Sequence, residues 1–427
     1  MVKRYKILLL LLVVVFMLSG CAMATLEDLY CLPKRSEEFE NLQAVIDKAM
    51  QGLTYSAPMY GENRQALQTA DLDGDGLDER ILFAKDDSDK PLKILIFSEL
   101  ASGYVLMDTI EGYGFGFDFV TYAQMDNKPG LEIVVGRQVS NQVMCSVAVY
   151  RFSSGFARQL MHTSYHEIVT TDMDQDGISE LFVLTGGLAD KNAATARLYR
   201  YDDGDMQRSE EVQMSAPISG FKQMRVGILR DGKPAIYVTN SVDTQTLVTD
   251  IVTLDGDSIS LFIKGITSGS IDNYYVYPED MDADGVLELP RLVKLNPVDS
   301  ADHPQHLILW YNIDSNQQES VKLSTYHNYD QNWYLDLGST NTSKLSVRQT
   351  EDGIGFYYNG KRVLTILALT DADREEQALS PACVILHQGE TVIYVAVIDD
   401  SAIRLEYAEE LIASFHPIRM DLNSEED

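Results

Sequence analysis

Hydrophobic and polar positions change rhythm three times along this chain. The first rhythm is an unbroken apolar run from Ile7 to Leu18, behind a basic start of Lys3, Arg4 and Lys6. A bilayer span takes about 20 apolar residues, so this run is too short to cross comfortably, and it closes on small residues as an export signal does. The second rhythm is helical. After a short acidic tether, Phe39, Leu42, Val45, Ile46 and Met50 recur at the spacing of one amphipathic face, which predicts a helix over 36–50. From about residue 64 the third rhythm takes over, with short β-rich runs separated by Gly, Asp, Asn and Ser.

Within that third stretch one pattern recurs: an acidic turn, a Glu or its replacement, a mostly apolar run, a polar loop and a longer hairpin. Glu79, Glu132, Glu180, Ala235 and Glu288 mark equivalent places, separated by 53, 48, 55 and 53 residues. Each unit adds a second hairpin with a short polar turn, as in SVAVYRFSSGFARQL and DIVTLDGDSISLFIKG. Four short strands repeated at about 50 residues is what a β-propeller blade requires. The expected fold is therefore mainly β: a β-propeller of five units over 64–327, followed by a smaller α+β domain over 328–427. An irregular β-sandwich of hairpins is the rival arrangement. Five blades are few for a closed ring, which leaves the tail or the segment before residue 64 to complete it.

In the tail the repeat fails. WYLDL, KLSVRQ, GIGFYYNG, RVLTILAL and ETVIYVAVI read as strands, and Asp371–Ala378 and Tyr407–Phe415 as helices. In its order of elements this region resembles the α/β/α sandwich of PsbP-like proteins, over roughly 90 residues and without a catalytic motif.

Composition changes the picture mainly through charge. At 427 residues and 45% hydrophobic content the chain has the size of two to three ordinary globular domains. Its 34 Lys and Arg against 65 Asp and Glu give a formal charge of −31, and loss of the first twenty residues with their three bases would leave 31 − 65 = −34. Such a surface repels phosphate backbones and anionic headgroups, so nucleic acid and polybasic membrane docking are disfavoured and cations become the natural small partners. Leu18-Ser19-Gly20-Cys21 resembles the lipobox of bacterial lipoproteins. The resemblance implies that 1–20 is a cleaved signal peptide, that Cys21 carries lipid, and that 21–63 is a lipidated tether with its helix. It also implies export, with anchoring to the outer face of the cell membrane. Two or more acyl chains make a stable anchor, each buried CH₂ contributing about 0.8 kcal/mol. Cys31, Cys145 and Cys383 show no C-x-x-C spacing, so neither a zinc site nor a stapled scaffold is indicated.

Three of the five acidic turns share the form D-x-D-x-D-G-x-x-E. They are Asp71 to Glu79, Asp172 to Glu180 and Asp280 to Glu288. Carboxylates at positions 1, 3 and 5 fall on one side of a tight loop, Gly at 6 takes the sharp turn, position 7 offers its carbonyl, and the acid at 9 closes the site. That is an oxygen cage for a hard ion of six to eight ligands, which favours Ca²⁺ over Mg²⁺. An EF-hand shares the first half but needs a Glu at position 12 and flanking helices. Position 12 here is Leu82, Val183 or Arg291, and each loop runs directly into a strand-like segment, so the EF-hand is excluded. A β-flanked nine-residue loop at one point of each repeat resembles the FG-GAP/VCBS repeats of integrin-type propellers, whose strand-connecting turns bind Ca²⁺. The resemblance implies up to three Ca²⁺ sites: Asp71, Asp73, Asp75, Leu77 and Glu79; Asp172, Asp174, Asp176, Ile178 and Glu180; and Asp280, Asp282, Asp284, Val286 and Glu288. The turns ahead of Glu132 and Ala235 carry Lys128 and Lys233 where acids are needed, so those units are expected to hold no ion. Solvated Asp-Gly turns without metal are the plainer alternative.

Catalytic motifs are missing. There is no G-x-S-x-G, H-E-x-x-H or Walker-type loop, and Gly114-Phe115-Gly116-Phe117 lacks the third glycine of a nucleotide fingerprint. Pro304 between His303 and His306 keeps a helix from presenting the two together, and the other histidines are scattered. Tyr150, Tyr199 and Tyr237 lie in strand-like runs and are expected to pack between blades, while Trp310, Trp333 and the pair Tyr274-Tyr275 are possible stacking surfaces. The expected role is a non-catalytic, lipid-anchored binding module for a protein or glycan. A glycan hydrolase or lyase with carboxylates at the propeller axis, and an envelope-assembly scaffold, are the rivals.

Overall fold

The computed structural model describes residues 37–139, 145–186, 192–299, 303–338, 342–350, 353–398 and 406–418. The expected signal peptide, Cys21 and most of the tether lie outside the described residues. Helix α1, Glu37–Ala49, stands where the apolar spacing predicts it. Antiparallel strands then build six sheets in chain order.

The first sheet comprises Leu67–Ala70, Glu79–Lys85, Leu92–Leu100 and Gly103–Gly112, with the short strand Thr54–Tyr55 beside the far end of Glu79–Lys85. The second comprises Gly116–Ala123, Glu132–Gln138, Cys145–Ser153 and Phe156–Tyr165. Glu167–Thr171, Glu180–Thr185, Thr195–Asp202 and Asp205–Arg208 form the third, joined by Val212–Gln213. Phe221–Ile228, Pro234–Ser241, Thr246–Asp255 and Ser258–Ile271 form the fourth, with Tyr274–Tyr275 on its edge. The fifth runs Leu289–Lys294, His306–Ile313, Glu319–Asn328, Trp333–Asp336 and Phe415–Pro417. In all four glutamate-bearing units the marker Glu opens the second strand or, for Glu288, pairs with Glu279 immediately before it. The repeat read from spacing is thus a repeat of antiparallel sheets of four or five strands.

Strand alternation decides how the sheets meet. In Glu79–Lys85, Ile81 and Phe83 face the second sheet, whereas Leu82 and Ala84 face α1. Because both faces are covered, the segment reads as an almost continuous apolar run rather than an alternating one. Phe83 meets Phe117 of the second sheet edge to face, with centroids 5.0 Å apart, a contact contributing about 0.5–1.5 kcal/mol beyond area burial. The same logic links second to third sheet through Val134, Val149, Leu181 and Val183. Third and fourth join through Phe182, Leu198, Ile236 and Val252, and fourth and fifth through Tyr237, Ile251, Leu289 and Tyr311.

A distinct α+β domain does not appear among the described residues after 328. Trp333–Asp336 and Phe415–Pro417 belong to the fifth sheet. The sixth sheet, in the order Leu345–Thr350, Gly353–Tyr358, Lys361–Leu369, Ile393–Ile398, Cys383–Gln388, buries one face against the fifth. One apolar cluster holds Leu307, Tyr326 and Trp333 together with Phe356, Ile366 and Phe415. The α2 helix, Arg374–Ala378, covers Ile393 and Val395 on the other face, and α3, Glu406–Ser414, leads into Phe415–Pro417. The tail therefore continues the stack of sheets. Its pairing with residues some 80 positions earlier is what the local pattern could not display. The outer face of the first sheet lies under α1 and that of the sixth under α2.

Candidate metal centres

The first two D-x-D-x-D-G-x-x-E segments form tight loops between the first and second strands of their sheets, and the third forms one between Glu279 and the strand Leu289–Lys294, closed by the Glu279–Glu288 bridge. In the first, the Asp71 carboxylate accepts the Gly74 N–H (2.7 Å) and the Gly76 N–H (3.1 Å), wrapping the backbone around itself. Asp172 and Asp280 do the same for Gly177 and Gly285, each at 2.9 Å. Gly76, Gly177 and Gly285 all have φ between 86° and 89°, the left-handed region where a side chain is strained, as the sequence pattern anticipates at position 6. Position 4 is left-handed as well, at Gly74, Gln175 and Ala283, which the spacing did not signal.

The loops bring together the acids at positions 1, 3 and 9. Carboxylate oxygens of Asp71, Asp73 and Glu79 lie within 4.8 Å of one another, and so do those of Asp172, Asp174 and Glu180, and of Asp280, Asp282 and Glu288. The position 5 carboxylates turn to their own loop instead. Asp75, Asp176 and Asp284 accept the N–H groups of Leu77, Ile178 and Val286 at 2.7–2.9 Å, holding the turn that carries the position 7 carbonyl. An all-carboxylate cluster of this size suits a hard cation, and three such clusters could each hold a metal ion.

The ninth-position Glu is the buried member. One oxygen accepts a backbone N–H seven residues upstream, from Leu72, Met173 or Met281, at 2.8–3.0 Å. Glu132, in the lysine-bearing second unit, takes the same bond from Met125 at 2.8 Å. Burial pushes all four carboxyls up, Glu132 and Glu180 to about 7, because the charged form loses its water; the backbone bonds only partly offset this. Neighbouring acids, Asp73 and Asp75 for Glu79 and Asp282 and Asp284 for Glu288, push in the same direction. A bound cation would reverse that push.

What faces the second oxygen of this Glu differs from sheet to sheet, and it comes from the strand that pairs with the one the Glu opens or precedes. Ser98 donates to Glu79 at 3.0 Å, and Asn312 to Glu288 at 3.5 Å. Arg151 occupies this place in the second sheet, its guanidinium 3.2 Å from Glu132 and 2.5 Å from Asp126, both acids fully buried. In the third sheet Arg200 lies 3.4 Å from Glu180, 2.5 Å from Asp174 and 2.9 Å from Asp257. The third acidic loop carries a different cation, Lys322, at 2.7 Å from Asp282 and 2.9 Å from Asp284, which pulls Asp284 below the ordinary carboxylate range. Among the described residues no Lys or Arg pairs with Asp71, Asp73 or Glu79. In the fourth unit Ala235 replaces the Glu, and the Leu229 N–H donates instead to the Lys233 carbonyl at 2.8 Å. Aligning third strands on the repeat would have exposed this series, because Ser98, Arg151 and Arg200 follow their Glu by 19, 19 and 20 residues.

Other expectations separate cleanly. Trp310 and Trp333 are buried, Trp310 donating to Thr325 at 2.8 Å, so neither offers a stacking surface. Tyr150, Tyr199 and Tyr237 are buried between sheets as expected. Tyr274 stacks on Tyr329, with centroids 5.0 Å apart. Cys145 and Cys383 are free thiols.

Fold and site define the class: a mainly β protein of serial antiparallel sheets carrying three carboxylate clusters able to hold a metal ion. No protein-family profile matches the chain, and no curated protein does. Among solved structures, a protein from Lactobacillus plantarum matches at TM-score 0.30 and 11% identity, over 71% of this chain and 84% of that one. A putative 6-phosphogluconolactonase from Bacteroides uniformis matches at 0.29 and 11%, over 71% and 83%. The exotype rhamnogalacturonan lyase YesX matches at 0.26 and 13%, over 70% of this chain and 62% of its own.

Proposed function

We propose that this is an exported, lipid-anchored binding module built on a β-propeller of the FG-GAP/VCBS type, stapled by Ca²⁺ and displaying a face for a protein or glycan ligand. The lipid sits on Cys21. The observation that carries the reading is positional: convergent acids recur at one place in three sheets, and in the second sheet Arg151 puts a fixed positive charge there. A place where acids converge in four of five units, and where Arg151 and Arg200 answer them in two, supports reading it as a cation position. The ligands would be the acids at positions 1, 3 and 9, with the position 7 carbonyls of Leu77, Ile178 and Val286 and the position 5 acids supporting the turn.

Melting of the full chain in detergent, titrated with Ca²⁺ and with Mg²⁺ over a chelator baseline, tests this. Each occupied site should stabilise the fold by about 2.7 kcal/mol when free ion exceeds the dissociation constant 100-fold. Asp73→Ala combined with Asp174→Ala and Asp282→Ala should remove most of that response. A full response in the triple variant would overturn the ligand assignment.

One pair favours the enzymatic alternative, a glycan hydrolase or lyase. Asp118 and Glu167 sit on the first strands of adjacent sheets, Tyr165 donates to Asp118, and burial together with the Asp118 charge pushes Glu167 up to about 7. A carboxyl that burial pushes up toward neutrality, with a second acid close to it, is an arrangement acid–base chemistry uses. Glycan cleavage abolished by Glu167→Gln would favour this reading over the first.

A further inference from the structure

Between the fourth and fifth sheets lies an open groove of about 820 Å³. Gln245, Thr267, Ser270, Asp272, Asn273 and His306 line it. Asp272 and Asn273 are consecutive left-handed residues, φ 50° and 72°, and form the turn between Ser258–Ile271 and Tyr274–Tyr275; both are exposed. None of these six side chains is hydrogen-bonded to another described residue. Two hydroxyls, two amides, a carboxylate and an imidazole therefore line one concavity, with Asp272 close enough to His306 to act on it electrostatically.

We propose that this groove binds a short neutral oligosaccharide, which deepens, and rests on, the reading of the protein as a binding module. The alternation of donors and acceptors suits a hydroxyl-rich ligand, which itself both donates and accepts at every ring position. Charge argues against an anionic glycan. The chain carries −31 overall, and Arg291 at the groove wall already gives its guanidinium to both oxygens of Glu319, at 2.9 and 3.0 Å, while lying over the Tyr311 ring. A peptide partner is also disfavoured. Protein hot spots are built on large aromatic and apolar anchors, whereas the groove has Leu292 as its large apolar side chain and no Phe, Tyr or Trp. The volume falls within the range of about 300–1,000 Å³ usual for ligand sites.

The test uses the full chain in detergent, with cellotetraose, maltotetraose and N-acetylchitotetraose as neutral probes and tetragalacturonate as the anionic one. Saturation-transfer NMR and calorimetry are run in Ca²⁺ and in chelator. At least one neutral probe should bind and tetragalacturonate should not. Ser270→Trp, which fills the groove, should abolish binding, and Gln245→Ala with Thr267→Val should weaken it roughly 3–10-fold, as loss of one or two hydrogen bonds would. The double variant changes exposed positions and carries the test if Ser270→Trp does not fold. Binding by none of the neutral probes, preference for tetragalacturonate, or unchanged affinity in the variants would overturn the proposal. Glycan binding without a Ca²⁺ effect on melting would leave the groove standing and remove the staple; the converse would remove the groove alone.

Discussion

In the first sheet, Glu79 is buried beside two exposed-edge aspartates, and the only third-strand group that reaches it is the Ser98 hydroxyl. In the second sheet, Glu132 occupies the same place and takes the same backbone bond, but Arg151 brings a positive charge to it and to Asp126. The two units differ in whether the chain supplies a cation at this place. One encodes it in the chain; the other leaves a cluster of acids that would be satisfied by an ion from solution. The similar strand pairing of both sheets shows that the architecture itself does not depend on which route is taken. The third sheet combines the routes, with a full acidic loop and Arg200 resting on two of its acids.

The largest test of this comparison removes the built-in cation. Arg151→Met should cost roughly 3–5 kcal/mol, because it strands Asp126 and Glu132 without compensation in the interior. Urea unfolding measures it, and a loss below about 1 kcal/mol would show that the ion pair is dispensable.

A pH series comes next. Burial raises Glu132 to about 7 in the folded chain from an ordinary value of 4.5, so the folded state holds this proton more tightly than the unfolded one. The resulting stability is present below pH 4.5 and is lost as pH rises to about 7, by up to about 3 kcal/mol. Glu132→Gln should remove that part of the slope, as measured by unfolding at a series of pH values in chelator.

Ser98→Arg would convert the first unit to the second's design. It should cut the first loop's share of the Ca²⁺ stabilisation from about 2.7 kcal/mol at 100-fold excess of free ion to about 1.4 kcal/mol at the same free ion, as Arg200 does at its own loop, while the chelator baseline rises or holds. Persistence of the full calcium response would break the equivalence of the two positions. The smallest effect is expected from relieving competition. Arg200→Met and Lys322→Met should each tighten Ca²⁺ at their own loops by about tenfold, or roughly 1.4 kcal/mol, which calorimetry on single-loop variants resolves.

Much of this was legible in the sequence because it is local. Nine consecutive residues specify each acidic loop, down to the glycine at its left-handed corner, and the marker glutamates locate the second strands of the repeating sheets. The cations were not legible. Arg151, Arg200 and Lys322 act across strands, from runs such as AVYRFSS in which an arginine reads as an ordinary solvent-facing residue. The same limit explains the tail. The apolar alternation of WYLDL and VIYVAVI announces strands, but not that Trp333 pairs with Pro417 or that Ile366 buries itself against the preceding sheet. The helix over 36–50 was visible in its spacing, yet its partner, the far face of Leu82, Ala84, Leu95 and Phe97, was not.

That partnership has a consequence for how the chain behaves when stressed. A row of sheets, each held by the one before and the one after, unfolds like a linear array, with its least protected units at the two termini. The α1 helix closes one end of the row. Without it, an apolar β surface sized to accept another sheet would stand open to any second copy, and a chain clipped ahead of residue 50 is expected to polymerise end to end rather than simply lose stability.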